Sequence, residues 1–195
     1  MRQIQGFQLI ELVLVLALMM LVGGITLPWL AKGTTGIEID LAAAEVLGAL
    51  RLARMTAIRL GVKVGVKFRE QENGVFTFTM YRDGDGDGVL SRDIESGVDP
   101  PVGLPRNLHH FGRRVRLGFP PGPAPRDPGN PSRRLPPDPV RFNRSDLASF
   151  GPLGGSTPGS IYLTDGRARL TVVRLFGRTG KAKTMRYDMQ SETWR

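Results

Sequence analysis

The sequence predicts an α+β protein in which a long N-terminal helix is followed by a domain of antiparallel strands. No charged residue occurs between Leu12 and Leu30. At about 1.5 Å per residue this run would form a helix of roughly 28 Å, close to the hydrocarbon thickness of a bilayer. Beyond residue 61, apolar and polar residues alternate as they do in half-buried strands. We therefore expect a membrane helix, an amphipathic continuation and a β domain.

The amphipathic part of the helix should begin after a hinge at residues 33–36 and end before Gly61, which suits a C-terminal cap. Its apolar residues recur at steps of three and four and therefore lie on one face. They are Ile39, Ala42, Ala43, Val46, Leu50, Ala53, Ala57 and Leu60. This face should pack against a sheet.

Strand patterns follow the helix. Residues 62–68 and 75–81 alternate in polarity on either side of Asn73-Gly74, a strong signal for a tight hairpin. Further strands are predicted at residues 140–143, 160–164, 168–176 and 182–189, with turns at 165–166 and 177–180.

Glu11 lies at the start of the apolar run, where a charged side chain costs about 2.5–3.5 kcal/mol on membrane-insertion scales. Such a residue usually has a partner. The i, i+4 spacing of a helix places position 7 beside it. Phe7 carries a positive charge only when it has become the N-terminus of the chain.

The combination of Gly6-Phe7, Glu11 and an apolar helix resembles the processing signal of type IV pilins and type II secretion pseudopilins. The resemblance implies that a prepilin peptidase cleaves between Gly6 and Phe7 and that Phe7 is N-methylated. It also implies that Glu11 pairs with the Phe7 amine of a neighbouring subunit during filament assembly. An ordinary secretory signal peptide, cut near residue 24 or 31, and a plain single-pass anchor are the alternatives.

This resemblance divides the chain into segments. Residues 1–6 would be the leader peptide, 7–31 the transmembrane and filament-core helix, and 32–61 its amphipathic continuation. Pro28 lies where many pilins bend this helix. The remaining residues, 62–195, would form the globular β domain.

The last third of the chain resembles the C-terminal part of the GspH/FimT pilin-like domain. The similar features are a Gly-rich turn at 150–156, strands at 159–163 and 171–173, and Gly177-Arg178-Thr179-Gly180. The resemblance implies a pilin-like fold, with the long helix packed on a two-sheet antiparallel domain. It also implies a bacterial inner-membrane protein with a periplasmic C-terminal domain, built into an envelope filament as a minor pseudopilin or minor pilin. Its partners would be the prepilin peptidase and other filament subunits, and its role in protein secretion or pilus biogenesis would be structural.

Composition argues against an enzyme. The chain contains no cysteine, which excludes thiol catalysis and thiolate metal sites. It shows no Ser/His/Asp arrangement, zinc-protease motif or phosphate loop. No cofactor is required by this interpretation.

An Asp-Gly repeat at residues 83–88 raises the question of calcium. Asp83, Asp85 and Asp87 occupy positions 1, 3 and 5 of an EF-hand-like loop, and Gly88 follows them. Position 12 is Ile94 instead of an acidic ligand, so Asp93 or Glu95 would have to replace it. The alternative is a flexible acidic turn without a metal.

A proline- and arginine-rich segment occupies residues 100–139 and contains 12 of the 15 prolines. Apart from a short strand at 114–119, it is expected to be an extended or disordered surface loop. Its arginines could bind acidic partners, including secreted cargo or nucleic acid, or could only be solvated.

The formal net charge of +9 comes mostly from arginines in the second half. In the final hairpin, Arg178, Lys181, Lys183 and Arg186 form a candidate DNA-binding surface, with Tyr187 and Trp194 nearby to stack on bases. A DNA-binding minor pilin acting in DNA uptake is therefore the alternative function.

Overall fold

The computed structural model describes residues 9–71, 75–112, 114–143 and 145–195, without the side chains of residues 25–35. The chain divides into two compact units, residues 1–37 and 38–195. Helix α1 spans Leu9–Leu60. In the first unit its side chains from Leu9 to Leu21 are exposed. Among the described residues, no helix has the length and apolar character needed to cross a membrane.

The predicted hinge at residues 33–36 does not interrupt the helix, so this prediction is wrong: α1 includes these residues. Four residues of low helix propensity are a weak signal, and neighbouring helical sequence can override it. The predicted end is confirmed. Gly61 has φ +69°, and its N–H donates to the carbonyl of Ala57 at 3.0 Å.

The predicted apolar face of α1 is buried in the core of the second unit. Seven of its eight residues are no more than 1% exposed: Ile39, Ala42, Ala43, Val46, Leu50, Ala53 and Ala57. Leu60, in the last position of the helix, is 45% exposed instead.

The first sheet has the strand order β3-β2-β1-β8, and all its neighbouring strands are antiparallel. Its strands are β1 (Val64–Glu70), β2 (Phe76–Arg82), β3 (Arg106–Asn107) and β8 (Leu147–Phe150). The predicted hairpin is confirmed, in a register that pairs Val64 with Arg82 and Glu70 with Phe76. Strand β8 was not predicted, because its four residues carry no clear alternation.

The second sheet has the order β12-β11-β10-β9-β4, and β7 also pairs with β9. Its strands are β4 (Arg116–Leu117), β7 (Val140–Arg141), β9 (Gly159–Thr164), β10 (Leu170–Phe176), β11 (Lys181–Asp188) and β12 (Thr193–Trp194). Inward-facing residues such as Ile161, Val173 and Leu175 share one core with α1 and the first sheet. The protein is therefore α+β, with an N-terminal helix and antiparallel sheets.

Residues 120–139 were predicted to be an extended or disordered surface loop, but strands β5 (Arg126–Asp127) and β6 (Asn130–Arg134) form a small antiparallel hairpin there. Strand β6 is indeed extended and exposed, but the strand pairing within this segment was not predicted. Leu135, directly after it, is buried with Tyr162, Leu170, Val172 and Tyr187 on the outer face of the second sheet. Proline density favours an extended backbone, and these distant apolar contacts then hold the segment in place.

Candidate functional site

Helix α1 also carries a set of exposed apolar residues outside its buried face. Leu41, Leu52 and Met55 are exposed by 49%, 47% and 66%. Gly48 lies between them at helical spacing, and no atom lies within 4 Å of where its Cβ would be. We call Leu41, Gly48, Leu52 and Met55 the outer helix face. An apolar ridge with a gap at its centre suits close packing against another helix.

The predicted processing site lies mostly outside the described residues, which begin after Gly6 and Phe7. Glu11 is exposed and lies in the first turn of α1. Pro28 lies within the same helix. Cleavage, methylation, the pairing of Glu11 and the bend at Pro28 all stay predictions.

The four basic residues predicted to bind DNA lie on two faces of the second sheet. On β11, Ala182 packs against the α1 core, so the alternate residues Lys181 and Lys183 lie on the outer face. Arg186 lies on the inner face, where it pairs with Asp40 of α1. Arg178 lies in the turn before β11. The structure therefore does not bring these four side chains together.

A row of basic residues crosses the outer face of this sheet. The register places Arg141 opposite Ser160, Ser160 opposite Arg174, and Arg174 opposite Lys183. We call Arg141, Arg174 and Lys183 the basic row. An open cleft of about 490 Å³ beside it is lined by both arginines, by Arg178 and by Asp127, whose carboxylate lies 3.9 Å from Arg141. The sequence shows that Arg141 and Arg174 are basic, but it does not place them in one row, because alternation gives a residue's face and not which strands are neighbours.

The two aromatic residues expected to stack on bases pack against the protein instead. Tyr187 is buried, and its ring centroid lies 4.8 Å from that of Trp194. The indole Nε1 of Trp194 donates to the carbonyl of Arg126 at 2.7 Å. These contacts attach the β5–β6 hairpin to the C-terminal strands.

Two arginines of the proline-rich segment are occupied by one carboxylate. Arg126 and Arg134 each lie 3.0 Å from an oxygen of Glu192. Hydrogen bonds from Arg134 and then Arg126 lower the pKa of Glu192 below its usual value. This part of the basic segment therefore serves internal contacts.

The Asp-Gly repeat brings three carboxylates together. One oxygen of each of Asp83, Asp85 and Asp87 lies within 4.8 Å of the others. Asp83 is buried and accepts the N–H of Gly86 at 2.7 Å. Asp87 pairs with Arg92 at 2.8 Å.

Several negatively charged side chains lie close together at this repeat. Loss of hydration raises the pKa of Asp87, and the negative charges of Asp85 and Asp93 add to this, while Arg92 opposes it. Asp93 and Glu95, predicted as further ligands, lie on the short helix α2 (Ser91–Ser96) and do not belong to the three-carboxylate group. Calcium binding stays a prediction.

Asp99 is the residue of this loop that sequence reasoning missed. It is fully buried. Its two carboxylate oxygens accept the N–H groups of Gly84 and Leu90, each at 3.0 Å. No motif connects Asp99 to residues 9 and 15 positions away, so only the folded chain reveals this role.

Comparison with protein families identifies a relationship for most of this chain. The family model described as type II transport protein GspH matches residues 42–177, which run from α1 to the turn after β10. No curated protein and no solved structure matches the chain.

Proposed function

The chain belongs to the GspH family of type II transport proteins, which are pseudopilins, and we propose that it acts as a minor subunit built into a type II secretion pseudopilus. The resemblance to the GspH/FimT pilin-like domain is thereby confirmed. Pseudopilins of this family are structural components of an envelope-associated filament, and their partners are other pseudopilin subunits.

The outer helix face is the observation that supports a filament role for this chain. Leu41 and Met55 are exposed on α1, and Leu52 lies at the rim of a small cleft that is also lined by Val66, Phe78 and Met80 of the first sheet. Exposed apolar side chains on a helix do not stabilise an isolated domain, and a patch of them indicates an interaction surface. Burial against a helix of a neighbouring subunit would remove this ridge from water.

The N-terminal segment would supply the assembly step. In this proposal a prepilin peptidase cleaves after Gly6, and the new Phe7 amine is methylated. The apolar part of α1 anchors the subunit in the inner membrane and then moves into the filament core. Glu11 selects the axial register there, because its charge is tolerated only opposite an amine.

The experiment is site-specific cross-linking in cells that assemble the filament. The chain contains no cysteine, so one introduced cysteine reports one position. A cysteine at Leu52 should cross-link to other pseudopilins, whereas one at Leu60 should not. Leu60 is a matched control, because it is a leucine of the same helix with similar exposure on another face.

A second readout is secretion. Leu52→Lys should reduce secretion, and Leu60→Lys should leave it unchanged. Equal cross-linking from both positions, together with normal secretion by Leu52→Lys, would contradict the proposal. Mass spectrometry of the mature chain tests the processing step: N-methyl-Phe7 is expected at its start, and an intact Met1 would contradict cleavage.

The alternative is a DNA-binding minor pilin. The basic row and the adjoining arginine-lined cleft favour it, because a line of cations on one face suits a phosphate backbone. The packing of Tyr187 and Trp194 within the protein counts against base stacking.

A further inference from the structure

Strand β11 has one edge that is only partly covered. On one side, β10 pairs with it from Lys181 to Arg186. On the other side, β12 pairs only with Tyr187 and Asp188, and Arg195 continues this pairing to Arg186. Within the described part of the chain, no strand pairs with the edge from Lys181 to Met185.

The backbone of this edge points its hydrogen-bonding groups outward. Arg186 exchanges both of its backbone hydrogen bonds with Arg195, each at 2.8 Å. Its N–H and C=O therefore face the side of β12. Because these groups alternate along an antiparallel strand, the N–H and C=O groups of Thr184 and Ala182 face the same side. They are placed to receive one more strand.

A groove lies beside the open edge. It has a volume of about 680 Å³ and separates β11 from α1. Asp40, Ala43, Ala44 and Leu47 line it on the helix, residues 184–188 line it on β11, and Thr171 and Arg195 complete it. An added strand's side chain opposite Thr184 would face the alanines of this groove, where an apolar side chain of modest size fits.

The other face of the edge is basic. Lys181 and Lys183 are exposed there, and Arg174 lies directly across from Lys183. Lysines on an edge strand repel a second copy of the same edge. They equally favour acidic side chains in directly opposite positions of a different strand.

We propose that the edge from Lys181 to Met185 binds an extended segment of another polypeptide as an added strand, with apolar residues facing the groove and Asp or Glu facing the lysines. Pairing is antiparallel, as it is throughout this sheet. The inference rests on the edge and its groove alone and does not require the filament role.

The test uses a synthetic nine-residue peptide of alternating Val and Glu, a fluorescent label and the full chain in detergent. Fluorescence anisotropy should show binding that weakens with salt. In an antiparallel pair, directly opposite residues point their side chains to the same face. Valines opposite Ala182 and Thr184 would therefore direct their amides at β11, and the glutamate amides would point away.

N-methylation separates added-strand binding from simple charge attraction. Methylating the valine amides should weaken binding at least tenfold, and methylating the glutamate amides should leave it unchanged. A peptide with Lys in place of Glu should also bind at least tenfold more weakly. Equal affinities of the two methylated peptides would overturn the proposal.

Protein variants locate the site. Lys181→Glu combined with Lys183→Glu should abolish binding of the Val/Glu peptide, whereas Arg133→Glu, an exposed change on β6, should not. A chain that binds a DNA duplex but not the peptide would overturn the proposal in favour of nucleic acid. Failure here leaves the pseudopilus role intact, because peptide binding involves no filament. Normal peptide binding with normal secretion by Leu52→Lys would contradict the pseudopilus role alone.

Discussion

The guanidinium of Arg186 on β11 donates two hydrogen bonds to the carboxylate of Asp40 on α1. Nη2 lies 2.6 Å from Oδ2, and Nε lies 3.1 Å from Oδ1. The side chains are 71% and 39% exposed, so the pair should contribute no more than about 1 kcal/mol to stability. Its main effect is electrostatic. Asp40 balances the charge of Arg186, so Arg186 contributes little positive charge to the predicted DNA site.

This pairing predicts that two neighbouring cations differ in their response to DNA. Lys183→Gln should lower the salt dependence of duplex binding by about one phosphate contact, a change in slope of about 0.9. Arg186→Gln should leave the slope unchanged, because Asp40 already neutralises that position. Affinity of each variant over a salt series provides the measurement. Identical slopes for both variants and the unmodified chain would end the DNA hypothesis.

Gly180 is predicted to tolerate no side chain. It has φ +59°, and an added Cβ would overlap the carbonyl oxygen of Gly154, which accepts a hydrogen bond from Arg54 of α1 at 3.0 Å. Gly180→Ala should therefore lower the free energy of unfolding by about 2 kcal/mol or more.

Gly61 provides the matched control, because it has φ +69° but no atom within 4 Å of its would-be Cβ. Gly61→Ala should cost only the backbone penalty of about 1 kcal/mol. Thermal unfolding of the full chain in detergent compares them. Similar losses would show that the contact with Gly154 is unimportant.

The features that sequence predicted well are those set by local patterns. Helical spacing identified the buried face of α1, and alternation around Asn73-Gly74 identified the β1–β2 hairpin. The features it missed depend on distant contacts. Strand β6 and Leu135 are ordered by Tyr162 and Tyr187, and nothing in a proline-rich stretch indicates such partners.

The same distinction applies to the candidate sites. The sequence showed that the last strands are basic. It could not show that the side chain of Arg186 pairs with Asp40, which lies 146 residues away in the sequence. Nor could it show that Arg141 and Lys183 lie in one row, separated by two strands. Cross-strand neighbours follow from sheet order, which no local pattern contains.

Asp165 is predicted to make stability depend on pH. Burial acts to raise the pKa of its carboxyl group, but N–H donors from Arg169, Arg167 and Ala168 outweigh this and hold the pKa below the ordinary 3.8. The carboxylate therefore stabilises the fold fully above pH 3.8, and this contribution is lost as pH falls through the lower folded-state value.

Asp165→Asn should flatten the acid side of the stability profile, measured as melting temperature from about pH 5 down to about pH 2. Asp146 should behave oppositely. Burial raises the pKa of Asp146, and this outweighs the opposing charge of Lys67, with a smaller rise from Asp138. Protonation therefore favours the folded form as pH falls toward 3.8. Asp146→Asn should therefore steepen the acid loss. A flattened profile in both variants would contradict this assignment.

The Asp-Gly loop is predicted to have two separable sources of order. Asp99 holds the N–H groups of Gly84 and Leu90 from a fully buried position. Asp99→Ala leaves both donors without this partner and should lower the free energy of unfolding by about 1–3 kcal/mol, with or without calcium.

Calcium, if it binds, would act through Asp83, Asp85 and Asp87, where it must compete with Arg92 for Asp87. Calcium should then raise the melting temperature relative to chelator, and Asp85→Asn should remove this increase. Arg92→Ala should enlarge it, because removal of the guanidinium leaves more negative charge for the cation. The melting temperature could instead be the same with calcium and with chelator, in both the unmodified chain and Arg92→Ala. That result would contradict calcium binding and show that Asp99 orders the loop without a metal.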